Sequence, residues 1–199
     1  MIKIAHVEVF GLEHAIRGMR NPLNSWDKID SYYDDEGYIV GENDFNLMEK
    51  LAKAGSSHSK YRRMIVVYAD ITAPLYWWKE YDTYKVGTVA NSCSTMHTIH
   101  KKEFTIDDFS HEYFDESIIS FLVNTLNYYR HQFNETKDKK HWYQLIQLLP
   151  TSYNQKRTVM LNYEVLANMY RDRKNHKLDE WRKFCEWVEG LPLSEIITQ

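Results

Sequence analysis

Polar side chains capable of chemistry gather at the ends of apolar elements in this sequence. His58 precedes the strongest β-forming run, and Asn91 and Ser94 sit in a stretch of small residues. Asn162 opens a helical pattern, and Asn168, Arg171, Arg173 and His176 stand at or beyond its far end. Amides, a hydroxyl, an imidazole and guanidinium groups suit an anionic, hydrogen-bonding ligand, to which a helix N-terminus can add unpaired N–H groups. The ordinary structural reading of the same residues is an N-cap at Asn162 and a solvated C-terminal cation at Arg173. Nine histidines raise the question of a metal. Cys93, His97 and His100 lie close in sequence, but no CxxC or HExxH spacing occurs, so no metal site is expected. Cys93 with His97 could form a nucleophile and base, although a small buried thiol is the commoner arrangement. No glycine-rich phosphate loop of either common type is present.

The elements that must position these groups belong to an ordinary globular chain. It has 199 residues, 43% hydrophobic and 27% charged, enough for a core without staples. Lys+Arg is 25 and Asp+Glu is 28, a formal net charge of −3, which argues against binding polymeric nucleic acid. Two cysteines make no disulfide framework, so a reducing, cytoplasmic setting is expected. The start lacks the apolar core of a signal peptide, and no run is long enough for a membrane helix. Aromatics reach 15%, with 15 Tyr and 6 Trp, which suits interfaces or flat-ligand pockets as well as plain packing.

Periodicity predicts a strand over residues 2–10, then a short helix bracketed by Gly11 and Gly18. Residues 21–41 read as an irregular surface loop. Asn43 is expected to cap a helix ending at Gly55, followed by a strand through residues 62–71 and a break at Pro74. An aromatic helix is predicted from Leu75 to about Lys85, then a loop or buried turn over 87–99. Asp107, Asp108 and Ser110 should open a long helix running to Tyr129, with a charged turn at 137–140 and a helix over 142–149. A strand over 156–161, a helix from Asn162 and a last helix over 179–189 complete an α+β single domain of a small sheet and several helices.

Three blocks resemble the flavin-dependent thymidylate synthase family. The first runs from His58 to Pro74 (HSKYRRMIVVYADITAP). The second is Lys79–Lys85 followed by Asn91-Ser92-Cys93-Ser94, and the third runs from Leu149-Pro150 through Asn162 and Arg173 to His176 and Glu180. Together they span about residues 42–185. The resemblance implies that family's α+β fold, with a small antiparallel sheet, over the whole of 1–199. It implies FAD contacts at His58, Tyr84, Lys85, Asn91, Asn162 and Asn168, and nucleotide contacts at Glu80, Ser94 and Arg173, with Ser94 in the catalytic position. It also implies a homotetramer with sites where subunits meet.

The chain departs from the family pattern at telling places. Thr83-Tyr84-Lys85 stands where the family carries Arg-His-Arg, Ser92 replaces an acid, Met96 replaces an arginine, and Glu164 replaces the arginine of Asn-x-Arg. The cations left for a ligand are Lys85, Arg173 and Arg62 or Arg63, and Glu164 is expected to repel a phosphate. Each lost charge-assisted partner of a phosphate costs about 1.5–3 kcal/mol. The implied function is a divergent protein of this type that binds a pyrimidine nucleotide, with FAD as implied cofactor and weak or absent methylation of dUMP. If it is an enzyme, it is an FAD-dependent nucleotide methyltransferase. The alternatives are a non-catalytic nucleotide- or signalling-molecule-binding protein reusing the fold, of phage origin, and a structural protein that keeps only the assembly.

Overall fold

The computed structural model describes residues 1–35 and 37–199. In chain order the elements are β1 (Lys3–Phe10), α1 (Leu12–Arg20), β2 (Tyr32–Asp34), β3 (Gly37–Ile39), α2 (Glu42–Lys53), β4 (Val66–Pro74) and α3 (Leu75–Tyr81). Then come β5 (Thr88–Ser92), α4 (Thr95–Thr98), α5 (Glu116–Thr136), α6 (Lys139–Leu148), β6 (Asn154–Asn162), α7 (Tyr163–Arg173) and α8 (Asp179–Glu189). Four strands form a sheet in the order β1-β4-β6-β5, and β2 pairs antiparallel with β3. The α+β expectation holds. Packing divides the chain into two compact units: Met1–Lys3, Ile71–Thr83 and Asn91–Arg157; and Ile4–Asp70, Tyr84–Ala90 and Thr158–Gln199. No helix among the described residues is long and apolar enough to cross a membrane.

In the first unit the core is aromatic. Trp77, Trp78 and Tyr81 of α3 are all buried, with ring centroids 4.8–5.3 Å apart. The Trp78 indole N–H donates to the Gln155 carbonyl at 2.9 Å, and the Arg157 guanidinium lies 4.2 Å from its ring centroid while pairing with Asp82 at 2.7 Å. α5 turns Ile119 and Leu126 toward Leu145 of α6 and toward Ile99, Phe104 and Phe109. α6 begins at Asp138, whose carboxylate accepts the Lys140 N–H at 3.0 Å.

In the second unit, Ala15, Ile16 and Met19 form the inner face of α1, and Trp181, Phe184, Cys185 and Val188 that of α8. α8 packs on α7, where Tyr163 to Ala167 are buried in succession. The segment between α1 and α2 is tied down by a buried ion pair. Arg20 donates through Nε and Nη2 to Asp44 Oδ1 at 2.9 and 2.6 Å. Asp44 Oδ2 accepts the backbone N–H of Asp30 and Ser31, both at 3.1 Å, and the Ser31 hydroxyl at 2.7 Å.

Several sequence expectations are corrected. Residues 21–41 are not irregular: they hold two short 3-10 turns and the β2–β3 ribbon. Asn43 does not cap α2. It lies inside the first turn, and the cap comes from outside, as Asp30 accepts the N–H groups of Asn43 (2.7 Å) and Asp44 (2.9 Å). Gly41 is required for this, because a Cβ there would come within 2.3 Å of the Asp30 carboxyl carbon. Residues 60–64 form a 3-10 turn and the strand begins at Val66, since Arg62 is used in the ion pair described below. The aromatic helix stops at Tyr81 rather than Lys85, with Asp82 as its C-cap. Residues 87–99 are neither loop nor buried turn but β5 and the one-turn α4, and β5 is largely exposed. Asp107 and Asp108 close a separate 3-10 turn, and the long helix starts at Glu116 and runs on to Thr136.

Breaking the Arg20–Asp44 pair leaves an uncompensated buried charge. Asp44→Asn is expected to cost about 3–5 kcal/mol and to lower the thermal midpoint by roughly 10 °C. An unchanged midpoint by circular dichroism would contradict this. Burial alone would raise the Asp30 carboxyl, but the N–H groups of Asn43 and Asp44 hold it below its usual value. Its stabilising share is therefore full at neutral pH and is lost as pH falls through that lowered value.

Candidate functional site

Asn162 sits where β6 gives way to α7. Its Oδ1 accepts the Val165 N–H at 2.9 Å, so it is an N-cap. Its Nδ2 lies against Gly87, where a Cβ would approach to 2.3 Å and where φ is +79°. Gly87 is glycine for both reasons. Glu164, two residues into α7, is buried. Its Oε2 accepts from Arg62 Nε at 2.8 Å and from the Ser59 hydroxyl at 3.3 Å. Arg62 Nη2 also reaches Glu164 at 2.8 Å and donates to Ser59 Oγ at 3.0 Å, while Nη1 donates to the Ile196 carbonyl at 2.9 Å. This corrects the expectation of a repulsive Glu164. The carboxylate is neutralised by a buried guanidinium, and Arg62 is spent on it rather than offered to a ligand.

At the far end of α7, Arg173 is half-buried and held by aromatic rings. Its Nε donates to the Tyr84 hydroxyl at 3.0 Å. Its guanidinium carbon lies 5.0 Å from the Trp181 ring centroid and 5.6 Å from that of Tyr84. The two rings meet edge-on at 6.2 Å, and Trp181 is fully buried. Cation–ring contacts of this kind contribute about 0.5–2 kcal/mol, according to exposure. Burial pushes the Tyr84 hydroxyl above its usual value and Arg173 draws it back, leaving it protonated at neutral pH. Its oxygen also lies 3.5 Å from Asp172 Oδ2. His176 presents its ring 6.4 Å from Trp181, and its Nδ1 accepts the Leu178 N–H at 3.2 Å. The second unit thus brings Tyr84, Arg173, His176 and Trp181 together at one end of α7. Gly87 and Asn162 meet at the other.

The remaining expected residues are dispersed. In the second unit, His58 is exposed in the turn after α2, Lys85 is exposed and Asn168 is half-buried on α7. In the first unit, Asn91 lies exposed in β5. Ser94 caps α4, its hydroxyl accepting the His97 N–H at 3.3 Å. Glu80 ends α3, and its carbonyl accepts the N–H and hydroxyl of Thr83. Cys93 is exposed rather than a buried thiol, with its backbone tied to Lys156 and Gln155.

One concavity lay outside the sequence reading. In the second unit a cleft of about 600 Å³ is lined by His14, Arg17, Gly18, Asn21, Trp26 and Met64, with none of the expected site residues among them. The Trp26 indole N–H is fixed on Asn21 Oδ1 at 2.8 Å. The small residue Gly18 on α1 was its sequence trace: a Cβ there would come within 3.0 Å of the Met64 sulfur.

The whole chain superposes on solved structures of one fold. Thymidylate synthase X (ThyX) from Helicobacter pylori, crystallised with FAD and dUMP, matches with a TM-score of 0.74 and 16% identity, over 100% of this chain and 97% of that one. A second Helicobacter pylori structure, flavin-dependent thymidylate synthase ThyX complexed with FAD and dUMP, gives 0.72 and 17%, over 98% and 97%. The UMP/dUMP methylase PolB from Streptomyces cacaoi, bound with 5-Br dUMP, gives 0.65 and 12%, over 98% and 93%. No protein-family model matches the chain, and no curated sequence does. The class is therefore that of the fold: this is an α+β chain with the architecture of the flavin-dependent thymidylate synthases. The resemblance seen in the three sequence blocks is a resemblance of structure along the full chain.

Gly87→Ala is expected to cost about 2 kcal/mol, from left-handed backbone strain and disturbance of the Asn162 cap. A denaturant melt that matches wild type would contradict this. The two thiols should also separate. Burial, with Glu189 and Glu186 nearby, pushes the Cys185 thiol up to about 12, whereas Cys93 is exposed. A thiol-titrating reagent at pH 8 should consume one thiol per chain when folded and two when unfolded.

Proposed function

We propose that this chain is a divergent flavin-dependent thymidylate synthase-like protein, one domain along its length, that binds a pyrimidine nucleotide and does not sustain methylation of dUMP. The observation that carries this reading is Arg173, held by the Tyr84 hydroxyl at 3.0 Å and by the Trp181 ring, within that fold. A guanidinium fixed in orientation by rings suits a phosphate or a pyrimidine edge, since less freedom is lost when the ligand arrives. Glu80 and Ser94 are assigned to the nucleotide by resemblance.

FAD is the cofactor the fold implies. By resemblance His58, Tyr84, Lys85, Asn91 and Asn168 are assigned to it, while the Asn162 side chain is already committed to its cap and to Gly87. When bound, the flavin would supply a hydride. What this chain contributes is orientation by amide donors and charge from Lys85 and Arg173. Lys85, Arg173 and the exposed Arg63 stand against the combined charge of a diphosphate and a nucleotide phosphate, Arg62 being spent on Glu164, and buried charge needs paired charge. Thr83-Tyr84-Lys85 thus favours binding over turnover. The lack of a disulfide framework supports a cytoplasmic protein, and the resemblance with 15% aromatic residues supports a homotetramer.

Titration calorimetry with dUMP, UMP, dTMP and FAD tests this. Arg173→Ala should weaken nucleotide binding roughly tenfold or more, the size of one charged hydrogen bond. Equal affinity in the variant, or no nucleotide binding by wild type, would refute the reading. Robust dTMP formation with FAD, reduced nicotinamide and methylene-folate would refute the loss of turnover.

A further inference from the structure

We infer that the cleft on the outer face of α1 is a binding site for a small planar aromatic carboxylate. Its whole lining lies in the second unit. α1 turns Ala15, Ile16 and Met19 inward, and its outer face carries His14, Arg17 and Gly18, with Asn21 just past its end, at the spacing of one helical row. A row of this kind on a plain surface helix is simply solvated. Here Trp26 and Met64 stand beside it and enclose about 600 Å³. That falls within the roughly 300–1,000 Å³ of small-molecule sites.

The apolar wall is held in place. Trp26 is 52% exposed, yet its indole N–H is bonded to Asn21 Oδ1, so its polar edge is satisfied and the ring offers its faces. The 3-10 turn that carries it, Trp26–Lys28, is braced at the Lys28 carbonyl. That oxygen accepts from Nη2 of the buried Arg20 at 3.2 Å and from the Asn43 amide at 2.6 Å. Met64 lies against Gly18, where one added carbon would press on its sulfur. A thioether and an indole face together make a polarisable surface for a flat ring.

The polar side of the cleft sets the other half of the ligand. None of the described residues that line it is acidic, and Arg17 stands one turn from His14. Arg17 does reach Glu13, but only at 4.0 Å across an exposed surface, and Glu13 also accepts the Tyr33 hydroxyl at 3.0 Å. An exposed pair of that kind is weak, so the guanidinium can turn to a ligand anion. Its parallel N–H donors match a carboxylate. The cleft lies beside the last turn of α1, the negative end of the helix dipole, and no helix N-terminus is among its lining residues. That disfavours a doubly charged phosphate and leaves a singly charged carboxylate as the matching head group. This site goes beyond the nucleotide reading and does not rest on it.

Calorimetric titration with naphthoate, and with naphthamide as its uncharged counterpart, decides the matter. Wild type should bind naphthoate about fivefold more tightly than naphthamide, the upper size of an exposed ion pair. Arg17→Met should abolish that preference, and Trp26→Ala should weaken both probes by about fivefold. In methyl NMR, the Met64 resonance, assigned with Met64→Leu, should shift when naphthoate is added to wild type. No naphthoate binding at millimolar concentration, equal affinity for the two probes, an Arg17→Met variant that keeps the preference, or a Met64 methyl that stays in place would each overturn the inference. If Trp26→Ala fails to fold, Arg17→Met and the Met64 methyl decide. Displacement of naphthoate by FAD, with the same Met64 shift, would assign the cleft to the cofactor and also overturn it. Failure of nucleotide binding leaves this site standing, and failure here leaves the nucleotide reading standing.

Discussion

A carboxylate cannot be buried without a partner, and the second unit is organised around the place where that condition is met. Glu164 enters the core in the first turn of α7, and Arg62 meets it from the 3-10 turn before β4. The Ile196 carbonyl and the Ser59 hydroxyl take up the guanidinium donors left over. Desolvating both ions is costly, and the geometry repays it only when these remaining donors are satisfied. The pair fixes the turn against α7, where the Tyr163 N–H also donates to the Ile65 carbonyl at 3.0 Å. α7 so placed carries Asn162 to Gly87 at one end and Arg173 to Tyr84 and Trp181 at the other.

The same economy appears between α1 and α2. Arg20 and Asp44 are both buried, and the second oxygen of Asp44 gathers the chain at Asp30 and Ser31. Asp30 in turn caps α2. One buried ion pair thereby orders a segment that has few apolar residues of its own to bury. The first unit is held differently. Its α3 rings and the Phe104–Phe109–Tyr153 cluster rely on aromatic area, with Arg157 laid across Trp78 and paired to Asp82.

These arrangements show what the departures from the family pattern do in this fold. Glu164 and Arg62 cancel, so neither repels nor attracts a phosphate. Tyr84, in the position of a family cation, spends its hydroxyl on Arg173 and its ring edge on Trp181. The guanidinium of Arg173 is thereby held in one orientation.

The sequence by itself determined the α+β class, the strand through Val67 and Ile71, the α7 start at Asn162 and the span of α8, because hydrophobic period and capping chemistry are local. It also carried the three blocks whose resemblance the full-length superposition bears out as a fold. Tertiary structure alone decided the rest. Asn43 looks like an N-cap locally, but Asp30, thirteen residues away, takes that role. Residues 88–92 look like a polar loop because they form a largely exposed strand, whose pattern lacks the apolar alternation of a half-buried one. Glu164 reads as a repulsive charge until Arg62 is brought to it across a sequence separation of 102. In each case the deciding partner is distant in sequence, and the energy of a buried charge or an unpaired N–H depends on who stands beside it in space.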